Sequence, residues 1–188
     1  MDVGTGDGRF PYERARRDLN SFYIGVDPDA TTLAVYAYRA SRKPARGGLT
    51  NVLYVVAAVE QLPPELHGIA DVVHVNFPWG GLLRGLLRPD EAVLRALHGL
   101  AAPAARIELV LCYDPEHDST AAAGDPLAPP DERYVDDVLS PAYAACGIVV
   151  TDRQRLGRDE ALAIPSTWGR RLLHGRPRDA WLIVGQAA

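Results

Sequence analysis

Cysteine, methionine and lysine are nearly absent from this chain of 188 residues, which carries two Cys, one Met and, in Lys43, a single lysine. Cys112 and Cys146 both lie in apolar surroundings, and no histidine stands at ligand spacing from either. They predict buried thiols, not a disulfide framework or a zinc site. No apolar run is long enough to cross a bilayer as a helix, which needs about 20 residues. Met1-Asp2-Val3-Gly4-Thr5-Gly6 shows no basic-then-apolar leader, so a cytoplasmic protein is expected. Apolar residues make up 47%, which argues against disorder and for a single domain, 1–188, with a full core. A net charge of −4 speaks against nucleic acid when taken alone. The arginines nevertheless cluster at Arg39 to Arg46, Arg153 to Arg158 and Arg170 to Arg178, and local patches rather than net charge bind phosphates. The competing reading is a solvated arginine-rich face.

What is present alternates between strand and helix, which predicts a mostly parallel sheet with helices on both faces. Strands are expected at Asp2-Val3, at 22–26 up to Asp27, and over Val52–Ala57, Asp71–Phe77, Arg106–Tyr113, Ile148–Arg155 and Ala180–Gln186. The last two form a C-terminal pair with an antiparallel strand. Helices are expected over Pro11–Asn20, Ala30–Ser41, Gly80–Leu87, Asp90–Leu100 and Asp131–Ala145. Residues 114–130 read as a long loop. The insertion 156–179 is partly helical over Ile164–Gly175.

The strongest local signal is Asp2-Val3-Gly4-Thr5-Gly6-Asp7-Gly8. Glycines let a backbone turn tightly against a ligand. The dinucleotide pattern G-x-G-x-x-G fails, because Arg9 stands where its third glycine belongs. Acids flanking the loop repel a pyrophosphate and suit an amino acid joined to a nucleoside, which favours S-adenosylmethionine over NAD. Asp27, closing the second strand, is placed to accept both ribose hydroxyls; as a cap and turn it would serve structure alone. Glu60 follows the third strand, where the adenine end would lie. Asn76-Phe77-Pro78-Trp79-Gly80 follows the fourth strand, at the sheet edge where open α/β folds bind ligands. A Trp between Pro and Gly suits stacking on a base better than a core. Trp168 precedes Arg170, Arg171, Arg176 and Arg178, an aromatic-plus-guanidinium signature for nucleic acid. His67, His74, His98, His117 and His174 make no triad or metal pair, and no metal is expected.

These motifs carry a resemblance. Asp2-Val3-Gly4-Thr5-Gly6-Asp7-Gly8-Arg9, Ala57-Ala58-Val59-Glu60-Gln61-Leu62-Pro63, Phe77-Pro78-Trp79-Gly80 and Ser166-Thr167-Trp168-Gly169-Arg170-Arg171-Leu172 resemble the 16S ribosomal RNA adenine-N1 methyltransferases of kanamycin–apramycin resistance. The resemblance implies a class I (Rossmann-like) S-adenosylmethionine-dependent fold. It implies methyl transfer to N1 of an adenine in the decoding site of the 30S subunit, by a monomer without metal or membrane. It places Asp2, Gly4, Thr5, Gly6, Asp27, Val59, Glu60, Asn76 and Ser166 at the cofactor. It puts Trp79 and Trp168 on either side of a flipped target base, with Phe77 and Pro78 beside them. Arg171, Arg176 and Arg178 are implied to contact rRNA, and the cluster beside Trp168 adds Arg170. The family has an N-terminal hairpin and first strand before the glycine loop, where here only Met1 to Val3 precede it, and Gly81 stands where Ser or Thr is common. The Asn-Phe-Pro-Trp loop also echoes exocyclic-amine and tRNA guanine-N7 methyltransferases, and a small-molecule methyltransferase or a non-catalytic rRNA- or cofactor-binding protein are further alternatives.

Overall fold

The computed structural model describes residues 1–118, 127–174 and 178–188. Its centre is a seven-stranded sheet in the order β3-β2-β1-β4-β5-β7-β6. The strands are β1 (Asp2–Val3), β2 (Tyr23–Asp27), β3 (Val52–Val56), β4 (Ala70–Asn76), β5 (Ala101–Cys112), β6 (Ile148–Leu156) and β7 (Ala180–Ala187). All neighbours pair parallel except β7, which runs against both β5 and β6. The helices are α1 (Arg9–Arg17), α2 (Ala30–Ala40), α3 (Gly80–Leu87), α4 (Glu91–Leu100), α5 (Glu132–Tyr134), α6 (Ser140–Ala145), α7 (Arg158–Ala163) and α8 (Thr167–Leu173).

Alternation along the central strands decides which helices cover which face. Val73 and Val75 of β4, with Ile107, Leu109 and Leu111 of β5, are buried in one cluster with Leu83, Leu87, Leu94, Leu97 and Leu100 of α3 and α4. The α4 side chains recur at helical spacing, and Asp90 caps the helix by accepting hydrogen bonds from the backbone N–H groups of Ala92 and Val93. Each buried leucine contributes about 1.5–3 kcal/mol and the cap about 1 kcal/mol. The opposite face is covered in two patches. Tyr12 and Ala15 of α1 pack with Ala40 of α2 and Val52 of β3. Phe77, Val110 and Cys112 pack with Ala161, Leu172 and Leu173 of α7 and α8.

Most expected elements stand within a residue or two of their boundaries; two differences have physical causes, and a third is an added helix. The helix expected over Asp131–Ala145 is interrupted by a π turn, Val135–Leu139. Pro141 cannot donate a backbone hydrogen bond, and the wider turn just before it absorbs that loss; Ser140 donates both its N–H and its hydroxyl to the Val135 carbonyl. β5 begins at Ala101 rather than Arg106, because the register with β4 slips between Ala70 and Val72, where Ala104 takes a left-handed φ of 61°. A separate helix, α7, lies ahead of the Ile164–Gly175 stretch read as partly helical, where α8 stands. Both cysteines are buried and free, and burial pushes the Cys112 thiol up to about 11. No helix among the described residues is long and apolar enough to cross a membrane.

Candidate active site

The parallel strands β1, β2, β3 and β4 end along one edge of the sheet, and a cleft of about 800 Å³ opens there. Its floor is the turn between β1 and α1. Gly4, Gly6 and Gly8 all take left-handed φ angles of 70°, 62° and 81°. A Cβ on Gly4 would stand 2.7 Å from Leu82 Cδ2, whereas Gly6 faces open space, so the turn presents bare backbone to the cleft.

Asp27 closes β2 at the side of this turn. Its Oδ2 accepts the Gly6 N–H at 2.7 Å and its Oδ1 accepts the Asp29 N–H at 2.9 Å. Burial raises its pKa above the usual carboxylate range, against the pull of those two N–H donors. Each oxygen keeps a second lone pair, the arrangement that a vicinal diol requires. Asp29 caps α2 through Thr31 and Thr32, so the cap reading of Asp27-Pro28-Asp29 falls on Asp29 and leaves Asp27 facing the cleft.

Asp2 lies beneath the turn, 2% exposed, with Oδ1 accepting from the Asn76 amide at 2.9 Å. Burial raises its pKa. Thr5 Oγ1 is buried without a partner at hydrogen-bond geometry. A glycine cradle and the free lone pairs of the Asp27 carboxylate fit a nucleoside bearing an amino acid. Among the described residues no group of three or more His, Cys, Asp or Glu is placed to hold a metal.

The far wall comes from the ends of β3 and β4 and from α8. Val59 and Glu60 border the cleft, as do Asn76, Phe77, Pro78 and Trp79. Phe77 departs from its expected role. It is 2% exposed and takes a left-handed φ of 51°. Its ring belongs to the buried cluster under α8, so close that a Cβ on Gly169 would stand 2.6 Å from it. Phe77 shapes the wall from behind. Trp79 also packs against both buried clusters, more of a core residue than its Pro-Trp-Gly context predicts.

From the other side, Ser166, Trp168 and Arg171 reach the same cleft. Ser166 caps α8, its Oγ accepting the Gly169 N–H at 3.0 Å. The two indoles touch edge to face, centroids 5.2 Å apart and planes inclined by 69°. A base held between two ring faces needs about 7 Å and parallel planes, from twice the ordinary contact distance, so this pair is closed.

The arginines divide. Arg170 and Arg171 are exposed on α8. Arg178 departs from expectation: it is largely buried in an ion pair with Asp118 and is committed to holding the chain. Arg176 lies outside the described residues, as do 119–126 of the 114–130 loop. In the 153–158 cluster, Arg153 is paired with Glu132 and Asp136, and Arg155 with Asp179. His74 is a satisfied strand residue, its Nδ1 3.1 Å from Glu108, which holds the Glu108 carboxyl down to about 2. Sequence reasoning read Asp7 only as an acid beside the glycine loop and did not single out Thr167. Both border the cleft and share a hydrogen bond of 2.7 Å, a contact no local pattern reveals.

A sheet of this order with only β7 reversed, a glycine turn after β1 and a carboxylate closing β2 define a class I S-adenosylmethionine-dependent methyltransferase. Over residues 1–187 the chain matches the family model NpmA, 16S rRNA (adenine(1408)-N(1))-methyltransferase, and it belongs to that family. The family's member from Streptoalloteichus hindustanus is 38% identical over 187 residues, covering 99% of this chain and 86% of the relative. An Escherichia coli relative is 35% identical over 192 residues, covering 100% and 86%. The crystal structure of the 16S rRNA methyltransferase KamB superposes with a TM-score of 0.90 at 34% identity, covering 100% of this chain and 86% of that one. A tryptophan-to-alanine variant of the Catenulisporales acidiphilia enzyme, solved with cosubstrate SAM, gives 0.89 at 34%, covering 100% and 84%. These relatives favour none of the alternative substrates.

Proposed function

We propose that this chain methylates N1 of adenine 1408 of 16S rRNA in the 30S subunit, with S-adenosylmethionine as donor, and so confers aminoglycoside resistance. The observation that carries this reading is one cleft with two kinds of wall: a glycine turn with Asp27 on one side, and the Trp79–Trp168 pair on the other.

Bound S-adenosylmethionine supplies an electrophilic methyl on a sulfonium. In this reading Asp27 accepts the ribose hydroxyls, Glu60 borders the adenine end, and the Gly4–Gly6 turn lets the ligand approach the backbone. Asn76 and Asp2 fix the strand ends beneath. Adenine N1 has a free lone pair at neutral pH, so the reaction needs no general base. The residues position N1 in line with the methyl and exclude water. Trp79 and Trp168 take the flipped base between their faces, and those faces favour the cationic product through cation–π attraction. Because the pair is closed, the base must part it. Trp168, at 36% exposed, is the ring free to turn, while Trp79 is held by packing. Pro78 stiffens the loop behind Trp79.

The insertion 156–179 serves as the target-recognition segment of a single domain, 1–188. Arg170 and Arg171 lead the rRNA contacts. The protein acts as a monomer in the cytoplasm, where 30S subunits are. The deciding experiment supplies purified 30S subunits with labelled S-adenosylmethionine and reads the site by primer extension, since N1-methylation blocks base pairing. A stop at adenine 1408, lost when that base is replaced by guanine, is expected; label incorporated elsewhere overturns the reading.

A further inference from the structure

Asp7 sits in the glycine turn between two left-handed residues, Gly6 and Gly8, and both of its carboxylate oxygens are engaged within the protein. Oδ1 accepts the Arg9 N–H at 3.1 Å. Oδ2 accepts the Thr167 hydroxyl at 2.7 Å, across 160 residues of sequence. Thr167 is the first residue of α8, between the cap Ser166 and Trp168. The glycine turn forms one wall of the cleft, and Trp168 belongs to the other. The Asp7–Thr167 bond is the polar tie between them at the mouth of the cleft. Gly169, pressed on the Phe77 ring, fixes the same helix turn from below.

We propose that Asp7 and Thr167 are positioning residues for methyl transfer: their hydrogen bond anchors the start of α8 to the glycine turn, so that Trp168 turns its ring without its backbone leaving the donor. The inference rests on the reading of Trp168 as a base-stacking residue. It accounts for a demand the closed indole pair creates. One ring must move to admit a base, yet the base must then stop at a fixed distance from the turn that holds the donor. A side-chain rotation about an anchored backbone meets both conditions. A drifting helix start meets only the first, and misplacement by about 1 Å costs on the order of 100-fold in rate.

The geometry also limits what Asp7 does. One bond to each Asp7 oxygen comes from the protein, Arg9 N–H on Oδ1 and the Thr167 hydroxyl on Oδ2, and in the proposed role it is a strut between the walls. Removing the bond should therefore lower turnover and leave ligand affinity near its starting value, a split that a ligand-binding or purely structural residue does not give.

The test uses the full chain and measures kcat, KM for 30S subunits, Kd for S-adenosylmethionine by calorimetry and thermal unfolding. Thr167→Val keeps the shape and removes the donor; it should lose about 10-fold or more in kcat while Kd stays within about 3-fold. Thr167→Ser keeps the donor and should restore kcat to within about 3-fold of the parent. Asp7→Asn retains an acceptor oxygen and should sit between the parent and Asp7→Ala. Asp7→Ala combined with Thr167→Val should be no slower than the worse single variant, because residues sharing one interaction are non-additive. Thr167→Val at parental kcat overturns the proposal, as does a double variant whose losses multiply. Trp168→Ala serves as the parallel arm. If it keeps full kcat, the base-stacking reading fails; if it loses kcat while Thr167→Val does not, only the anchor fails.

Discussion

Trp79 and Trp168 meet edge to face at 5.2 Å, yet they are held in opposite ways, one packed on two buried clusters and the other 36% exposed. Substitution should therefore separate them. Trp168→Ala should leave thermal stability nearly unchanged and lose methylation by about 5- to 150-fold, the equivalent of one stacking contact. Trp79→Ala should show a similar or greater loss and also cost about 2–4 kcal/mol in unfolding free energy, toward the range for buried Trp truncation. Phe at either position should keep part of the activity. Unfolding curves set beside 30S methylation for the same variants check this.

Asp27 should govern the affinity for S-adenosylmethionine. Asp27→Ala removes an acceptor for the ribose hydroxyls and should weaken binding by about 1–3 kcal/mol in calorimetry. Because burial raises the Asp27 pKa, the carboxylate takes up its proton at a higher pH than a solvated aspartate. Affinity should thus begin to fall, on acidification, before the ordinary aspartate range near 3.9 is reached. Binding in Asp27→Ala should lack that pH dependence.

The arginines should sort by burial. Arg170→Glu with Arg171→Glu should abolish 30S binding and leave cofactor affinity intact, and binding of the parent should weaken steeply with salt as counterions are released. Arg178→Ala should behave differently. It strands the buried Asp118 carboxylate, and loss of one partner of a buried pair costs about 3–5 kcal/mol, so its signature is a lowered Tm. Thermal scans and filter binding on these variants distinguish the two roles.

Glu108 should contribute to acid stability. Its carboxyl is held down to about 2, first by the hydrogen bond to His74 and also by Arg106. A depressed carboxylate adds its full stability above its unfolded pKa, about 4.3, and loses it as pH falls toward 2. Glu108→Gln should lower stability at neutral pH and flatten the fall of Tm between about pH 5 and 2. A variant whose Tm tracks the parent throughout would show the pair to be inert.

The sheet and the ligand wall were legible because their signals are local. Alternation in Val73, His74 and Val75 placed β4, and Asp27 announced itself by closing a strand after a glycine turn. The opposite wall was only half legible. Trp168 and Ser166 could be found from their segment, but the commitment of Arg178 to Asp118 depends on contacts that local sequence does not encode. The same is true of Phe77, whose apolar ring fits equally a ligand loop or a core until Gly169 is seen against it. The tie from Asp7 to Thr167 left no trace in either local pattern.

The reversal of β7 has an evolutionary consequence. A parallel strand pair needs a crossover of fixed hand and substantial length, so the segments among β1 to β5 are constrained by the sheet they serve. β6 and β7 are antiparallel neighbours, with Leu156 opposite Ala180, so their connection needs no crossover. Its exposed positions can change while the register on either side is kept. In the proposed reading target choice rests in part on this connection, whose exposed Arg170 and Arg171 can vary while Ala161, Leu172 and Leu173 keep the sheet covered.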